Sequence, residues 1–328
     1  MTMRYLSTFS GIEAASVAWH DLGFEAVGFS EINPFASAVL AARFPKTRNY
    51  GDITKHASWG LKPGSTDILI GGSPCQSFSI CGKKLGFADP RGNLTLVFLQ
   101  LIEQLRPQWV VWENVPNCLS TNGGRDFGSF LHQLVSSGYG CCWRVLDARH
   151  QGSPRPLPQR RRRVYLIANL TSIQHSAEVL FKPQAMPGDA DALSSIGEDT
   201  AAHAQGSPYP DCQPDLKMVG FQIGNLRRRA GATPDDRFIT CLKSSTGDQT
   251  PCVAYDGKAR HLTSVEWERL QGFPDNHTQI PWKGKPAEEC PDHLRQIACG
   301  NSMAVPIIRM LGERIKAVHT AHNLNSHL

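Results

Sequence analysis

The chain has 328 residues, 34 Lys and Arg against 29 Asp and Glu, and a formal net charge of +5 at pH 7. That length holds one sizeable domain and a smaller one. No window approaches the roughly 18 to 20 apolar residues of a membrane span, and Met1 to Leu6 lacks the basic-then-apolar build of a signal peptide. Ten cysteines, irregularly spaced in so long a chain, read as reduced thiols of an intracellular protein rather than as a disulfide scaffold.

From residue 1 to 170, two periodicities alternate. Short apolar runs at Tyr5 to Phe9, Ala26 to Ser30, Ile68 to Ile70, Trp109 to Trp112, Trp143 to Leu146 and Val164 to Ala168 read as strands. Between them, Leu94, Val97, Phe98, Leu101 and Leu105 share one helical face, as do Phe127, Phe130, Leu131 and Leu134. Asn33-Pro34 forms an N-cap and first-turn pair for a helix carrying Phe35, Val39 and Ala42. Such alternation predicts an α/β fold with a doubly wound, mostly parallel sheet.

The rhythm is expected to stop from about Thr171 to Tyr255. Pro, Gly, Ala, Ser and Asp dominate as far as about residue 215, a linker by composition. Lys217 to Val253 is basic and glycine-punctuated, with short β-like pieces such as Arg237 to Thr240, and reads as a second, smaller, irregular β-rich domain. Residues 263 to 266 then form a capping box. A final helix shows Ile308, Leu311, Ile315 and Val318 on one face, and that face needs the first domain as its partner. The expected division is therefore 1–170, 171–257 and 258–328.

Charge is unevenly placed. Arg144, Arg149, Arg155 and Arg160 to Arg163 form a basic block, residues 171 to 215 are acidic, and Arg227, Arg228, Arg229, Arg237 and Lys243 make the chain basic again. Basic blocks of this kind suit a polyanionic partner. Cys290, His293 and Cys299 have no second ligand pair to support a zinc site, so no metal is expected.

Candidate chemistry gathers at strand ends. Gly71-Gly72-Ser73-Pro74-Cys75-Gln76-Ser77-Phe78-Ser79 ends the third strand in a rigid turn that leaves a thiol at the carboxyl edge of the sheet, where such folds keep their reactive groups. Gly11 follows the first strand, Glu31 ends the second and Asp52 precedes the third. A glycine turn followed about 20 residues later by an acid is how doubly wound folds hold an adenosine-type ligand. Glu113 ends the next strand, close to Cys75 if neighbouring strand ends are adjacent. Gln159 to Arg163 is expected to open the strand Val164 to Ala168, with Arg161 and Arg163 on one face and Arg160 and Arg162 on the other.

Taken in order, Pro74-Cys75-Gln76, Glu113-Asn114-Val115, Gln159 to Arg163, Arg260 to Thr263 leading to Leu270 through Pro274, and Gly300-Asn301-Ser302 resemble the DNA cytosine-5 methyltransferase family. The Phe9 to Glu13 opening resembles its bacterial and phage members. The likeness covers about 1 to 170 and 258 to 315. It implies the fold of an S-adenosylmethionine-dependent methyltransferase and methylation of cytosine in double-stranded DNA. Cys75 would attack carbon 6 of a flipped-out base, Glu113 would hold the exocyclic amine and ring nitrogen 3, and Arg161 and Arg163 would favour the thiolate.

By the same likeness Phe9, Gly11, Ile12, Glu31, Ile32, Asp52, Ile53, Pro74, Leu94, Asn301 and Ser302 would line the S-adenosyl-L-methionine pocket. Gln76, Ser79, Asn114, Val115, Gln159, Arg228 and Arg229 would meet the substrate. Glu13 stands where the family has a second glycine, and Leu294-Arg295-Gln296 replaces an aromatic lead-in. The implied setting is a cytoplasmic monomer, bacterial or phage-encoded, with a restriction endonuclease as the partner of a restriction–modification pair. Cytosine in tRNA, or DNA binding without turnover, are the alternatives.

Overall fold

A computed structural model describes residues 2–73, 94–181, 219–222, 239–240, 242, 251–255 and 258–325. It separates into two compact units, one of residues 1–146, 162–182 and 308–328, the other of 147–161 and 183–307.

The first unit is built on a six-stranded sheet. Its strands are β1 (Met3–Thr8), β2 (Phe24–Ser30), β3 (Ile68–Gly71), β4 (Trp109–Asn114), β5 (Gly140–Asp147) and β7 (Arg162–Asn169), and they lie in the order β2-β1-β3-β4-β7-β5. The pairings β1–β2, β1–β3 and β3–β4 are parallel, and β4–β7 is antiparallel. The chain therefore reverses on either side of β1, a switch point outside which doubly wound folds bind ligands.

Each central strand is apolar almost throughout because both faces of the sheet are covered. Leu6, Leu69, Val110, Trp112 and Leu166 meet α3 (Leu94–Leu105) and α4 (Arg125–Ser136) through Phe98, Ile102, Phe127 and Phe130. Trp19, in α1 (Ala14–Trp19), packs edge-on to Tyr5 and Phe24, and its indole N–H donates to the Ile308 carbonyl at 2.8 Å. The final helix, α8 (Val305–Asn325), thus has its Ile308 turn against α1, and Arg309 reinforces this by pairing with Asp21.

Local signals hold where they were legible. Asn33 caps α2 (Pro34–Arg43) by accepting from the Ala36 N–H at 3.0 Å, and Thr263 with Glu266 closes a reciprocal capping box on α6 (Ser264–Gln271). One expectation fails at Thr171: the strand-helix alternation continues into α5 (Ile173–Phe181), which buries Ser176, Val179 and Leu180 in the first unit. With so few apolar positions, the stripe is too narrow to register as a period.

The second unit carries β8 (Val219–Gln222), β10 (Pro251–Tyr255) and β11 (Lys258–His261) as an antiparallel sheet in the order β11-β10-β8. A two-stranded pair joins β6 (Gln159–Arg160) in parallel to β9 (Ile239–Thr240). Next come α6 and α7 (Asp292–Asn301). These two helices are pinned by Glu268, fully buried, whose carboxylate accepts from the Thr278 N–H at 2.8 Å and the Arg295 guanidinium at 3.2 Å. The expectation that Gln159 to Arg163 runs straight into the next strand is corrected here. β6 pairs with β9, the ladder breaks at Arg161, and β7 begins at Arg162. The predicted alternation nonetheless survives in burial, with Arg160 and Arg162 exposed and Arg161 and Arg163 turned inward.

Candidate active site

The carboxyl ends of β1, β3 and β4 are in register, with Thr8 beside Gly71 and Gly71 beside Trp112. Gly71 is required here. A Cβ would sit 3.0 Å from the Thr8 carbonyl oxygen and 3.2 Å from the Phe98 ring, a crowding that only glycine avoids. Beyond it the chain is tied to β4 at Ser73, which is buried. The Ser73 hydroxyl accepts from the Trp112 indole N–H at 3.0 Å and shares a 2.9 Å hydrogen bond with Thr95, while the Asn114 amide donates to the Ser73 carbonyl at 3.0 Å. The chain that leads to Cys75, two residues on, is therefore fixed to the strand that ends in Glu113 and Asn114. Pro74, Cys75, Gln76 and Ser79 themselves lie outside the described residues.

Glu113 meets Arg163 from the antiparallel β7, with 3.3 Å between carboxylate and guanidinium and only about an eighth of either side chain exposed. An ion pair this sheltered from solvent keeps both groups oriented. Val115, two residues beyond Glu113, is an exposed apolar residue.

The turns after β1 and β2 form a second group. Phe9, Gly11 and Glu13 all adopt positive φ, at 51°, 55° and 66°, so the loop curls without helix until α1 starts. Glu31 stabilises it: one carboxylate oxygen accepts from the Gly11 N–H at 2.7 Å, the other from the Asn33 N–H at 2.6 Å. A carboxylate has about four acceptor positions, so Glu31 has capacity beyond these two. Beside it Ile32 is 70% exposed, an apolar surface that suits a flat ring. Asp52 accepts from the Thr54 N–H at 3.0 Å, and Ile53 is buried beneath it. Ile12 is fully buried, and Leu94 opens α3.

Sequence reasoning missed Asn49. Its side-chain oxygen accepts from the N–H groups of Glu31 and Gly51, and its amide donates to the Glu31 carbonyl and the Ser37 hydroxyl. This one side chain sets the Glu31 turn against the Gly51–Asp52 turn, and nothing in the local sequence announces it.

Glu13 departs from glycine at the cost of burial. It is fully enclosed, accepts from the Ser16 N–H at 3.0 Å as the N-cap of α1, and has its pKa pushed up to about 7 by desolvation, with Glu31 adding to the rise.

In the second unit Gln159 and Arg161 are buried, Ser302 is buried at the end of α7, and Asn301 is exposed. Arg161 donates to the carbonyls of Leu242 and Gly300 at 3.3 Å and of Ser302 at 2.5 Å. Arg228 and Arg229 lie outside the described residues. Among the described residues no three His, Cys, Asp or Glu side chains are grouped to hold a metal, and no helix is long and apolar enough to cross a membrane.

The carboxyl edge of this sheet thus gathers the loop after β1, the Glu31 turn and the Glu113–Arg163 pair. The model of the C-5 cytosine-specific DNA methylase family matches residues 3–317, and the chain belongs to that family. Its relatives include the type II methyltransferases M2.BsuMI of Bacillus subtilis (30% identity, 95% of this chain and 75% of that protein) and M.HpaII of Haemophilus parainfluenzae (28%, 95% and 88%). A protein of Escherichia phage P1 named as a DNA N-6-adenine-methyltransferase is 30% identical over 96% of this chain, which spans 61% of that relative's length. The fold is shared with the Dnmt2 methyltransferase of S. pombe, at TM-score 0.63, 17% identity, 98% of this chain and 99% of that one.

Proposed function

We propose that this member of the family methylates carbon 5 of cytosine in double-stranded DNA, with Cys75 as nucleophile and S-adenosyl-L-methionine as methyl donor. The observation that carries the reading is the junction at Ser73, which anchors the chain leading to Cys75 to the strand whose end presents the Glu113–Arg163 pair.

Carbon 5 of cytosine is a weak nucleophile. When the Cys75 thiolate bonds to carbon 6, the carbon 5–carbon 6 π pair becomes available to attack a methyl group. The Glu113 carboxyl accepts from the exocyclic amine through one oxygen and, entering the step protonated on the other, gives that proton to ring nitrogen 3, so that negative charge does not build up on the ring. Arg163 keeps that carboxylate oriented. After methyl transfer the carbon 5 proton passes to water, its bonding pair restores the carbon 5–carbon 6 double bond, the carbon 6–sulfur bond breaks to release the thiolate, and ring nitrogen 3 returns its proton to Glu113. S-adenosyl-L-methionine, when bound, supplies the electrophilic methyl group. The residues fit such a donor: Glu31 has acceptor capacity for ribose hydroxyls and Ile32 offers an apolar face. Phe9, Gly11, Asp52, Asn301 and Ser302 complete its proposed contacts. The irregular stretch from about 217 to 253, with Arg228 and Arg229, is proposed to select the DNA sequence, and a cognate restriction endonuclease fits the type II relatives.

The test is a duplex carrying 5-fluorocytosine, whose fluorine cannot leave as a proton does. A stable protein–DNA adduct that is lost in Cys75→Ser supports the reading, and an adduct persisting in that variant overturns it. The name of the phage P1 relative supplies a second reading, methylation at an adenine amine. An exocyclic amine attacks a methyl group directly and requires no covalent thiol, so analysis of the methylated base in DNA from an expressing cell separates the two.

A further inference from the structure

Eight buried residues of the second unit share a ring of hydrogen bonds that the chemistry above does not use. Gln159 donates to the Leu270 carbonyl at 2.6 Å and to the Gln271 side chain at 3.3 Å, and accepts from the Leu242 N–H at 3.2 Å. The Leu242 carbonyl accepts from Arg161, whose guanidinium also spans the Gly300 and Ser302 carbonyls. Gln271 completes the circuit by donating to the Cys299 carbonyl at 2.7 Å and, more weakly, to that of Ser302 at 3.5 Å. Gln159, Leu242 and Gln271 are fully buried, and Arg161 is 2% exposed.

The ring draws together four segments far apart in sequence. They are the Gln159–Arg161 block, Leu242 within the basic irregular stretch, the end of α6, and the Gly300–Ser302 turn. Its geometry bears on what Arg161 does. This guanidinium donates to the main-chain carbonyls of Leu242, Gly300 and Ser302. A planar fork that reaches three carbonyls at once fixes where they lie relative to one another, which the single ammonium of a lysine cannot reproduce. A buried carbonyl deprived of such a donor is costly to leave unpaired, so the turn would shift rather than stay in place.

We infer that Arg161 is a positioning residue: it holds the Gly300–Ser302 turn, whose Asn301 and Ser302 are proposed cofactor contacts, and ties that turn to Leu242, rather than serving the Cys75 thiol. The inference rests on the proposed cofactor role of Asn301 and Ser302. It assigns Arg161 and Arg163, two positions apart and superficially alike, to different tasks. Arg161 governs cofactor affinity, and Arg163 governs the carboxylate at the reacting base.

The experiment uses the full chain, with S-adenosyl-L-homocysteine as an unreactive probe of the cofactor site and the 5-fluorocytosine duplex as a probe of thiol addition. Arg161→Met should weaken S-adenosyl-L-homocysteine binding in calorimetry about tenfold or more, the scale of a lost charge-assisted hydrogen bond, with Arg161→Lys in between. At saturating cofactor, the rate of adduct formation and its pH profile should stay within about threefold of the parent. The opposite pattern, unchanged cofactor affinity with an adduct rate that falls and a pH profile displaced to alkaline values, overturns the inference and returns Arg161 to the thiol. Gln271→Leu leaves Arg161 in place and removes the neighbouring bonds of the ring. It should weaken the probe in the same direction, and its effect should be less than additive with that of Arg161→Lys; full additivity counts against a shared ring. Failure of the parent protein to form any adduct would instead reject the cytosine reading, an outcome distinct from either result with Arg161.

Discussion

Glu13 offers a quantitative test of the loop after β1. Its carboxyl is fully buried, and desolvation holds its pKa at about 7 against an ordinary 4.5. The charged and titratable groups facing it are Tyr5, whose own pKa is raised by burial and by this carboxyl, and Glu31. The sign follows from linkage. Below about pH 4.5 the carboxyl is protonated in both folded and unfolded chains, and folding carries no penalty from it. As pH rises toward 7 the unfolded chain ionises first, so stability falls, and it levels off once both states are ionised. At about 1.4 kcal/mol per pH unit the full loss is roughly 3.5 kcal/mol, of which roughly 2.5 kcal/mol develops between about pH 5 and pH 8.5.

Glu13→Gln removes the titration and keeps an oxygen to cap Ser16. Any cost of burying the new amide is independent of pH, so the diagnostic quantity is the change in the difference between parent and variant. Urea unfolding followed by tryptophan fluorescence at several pH values should show the variant gaining on the parent by roughly 2.5 kcal/mol from about pH 5 to pH 8.5. Curves that stay parallel to within about 0.5 kcal/mol would refute the assignment of a neutral, desolvated carboxyl at this position.

Three further outcomes are expected. Glu113→Gln keeps the shape of the side chain but removes its charge and its proton-transfer role; turnover should fall about 10² to 10⁴-fold, measured as tritiated methyl incorporation, and a fall of less than threefold would argue that Glu113 is not the acid–base group. Glu31→Ala should weaken S-adenosyl-L-homocysteine binding by about 1.5 to 3 kcal/mol in calorimetry, and because Glu31 also holds the Gly11 and Asn33 N–H groups it should lower the melting temperature; unchanged affinity in a folded variant would count against the pocket. Gly312→Ala forces a methyl group into the indole of buried Trp19 and should cost about 1 to 3 kcal/mol, so an unchanged urea midpoint would show that α8 does not pack there as described.

Much of the site was legible because its residues stand at the ends of strongly patterned elements. Glu31 and Glu113 each follow an apolar run, and a strand's direction decides where its last side chain lies. Asn33-Pro34 and Thr263 with Glu266 were equally plain, since a cap is satisfied by atoms three residues away. Asn49 and Ser73 were not legible: their roles depend on which turns the fold brings beside them, and an isolated Asn or Ser carries no such mark. α5 escaped notice because its buried stripe is narrow.

The sequence by itself determined the kinds of groups and the elements that bear them: a strand-helix alternation, a Pro-Cys turn, an acid closing a strand, an arginine block. Those properties are set by local sterics and by which side of each element is apolar. Only the tertiary structure decided how the arginine block is shared out. Alternation puts Arg161 and Arg163 on the same side and gives no reason to distinguish them. The break in the ladder at Arg161 delivers one guanidinium to carbonyls up to 141 residues away and the other to Glu113 across an antiparallel pairing. Hydrogen bonds across such separations form only when packing has already brought the main chains together, so no pattern within a few residues of either arginine could have encoded the difference.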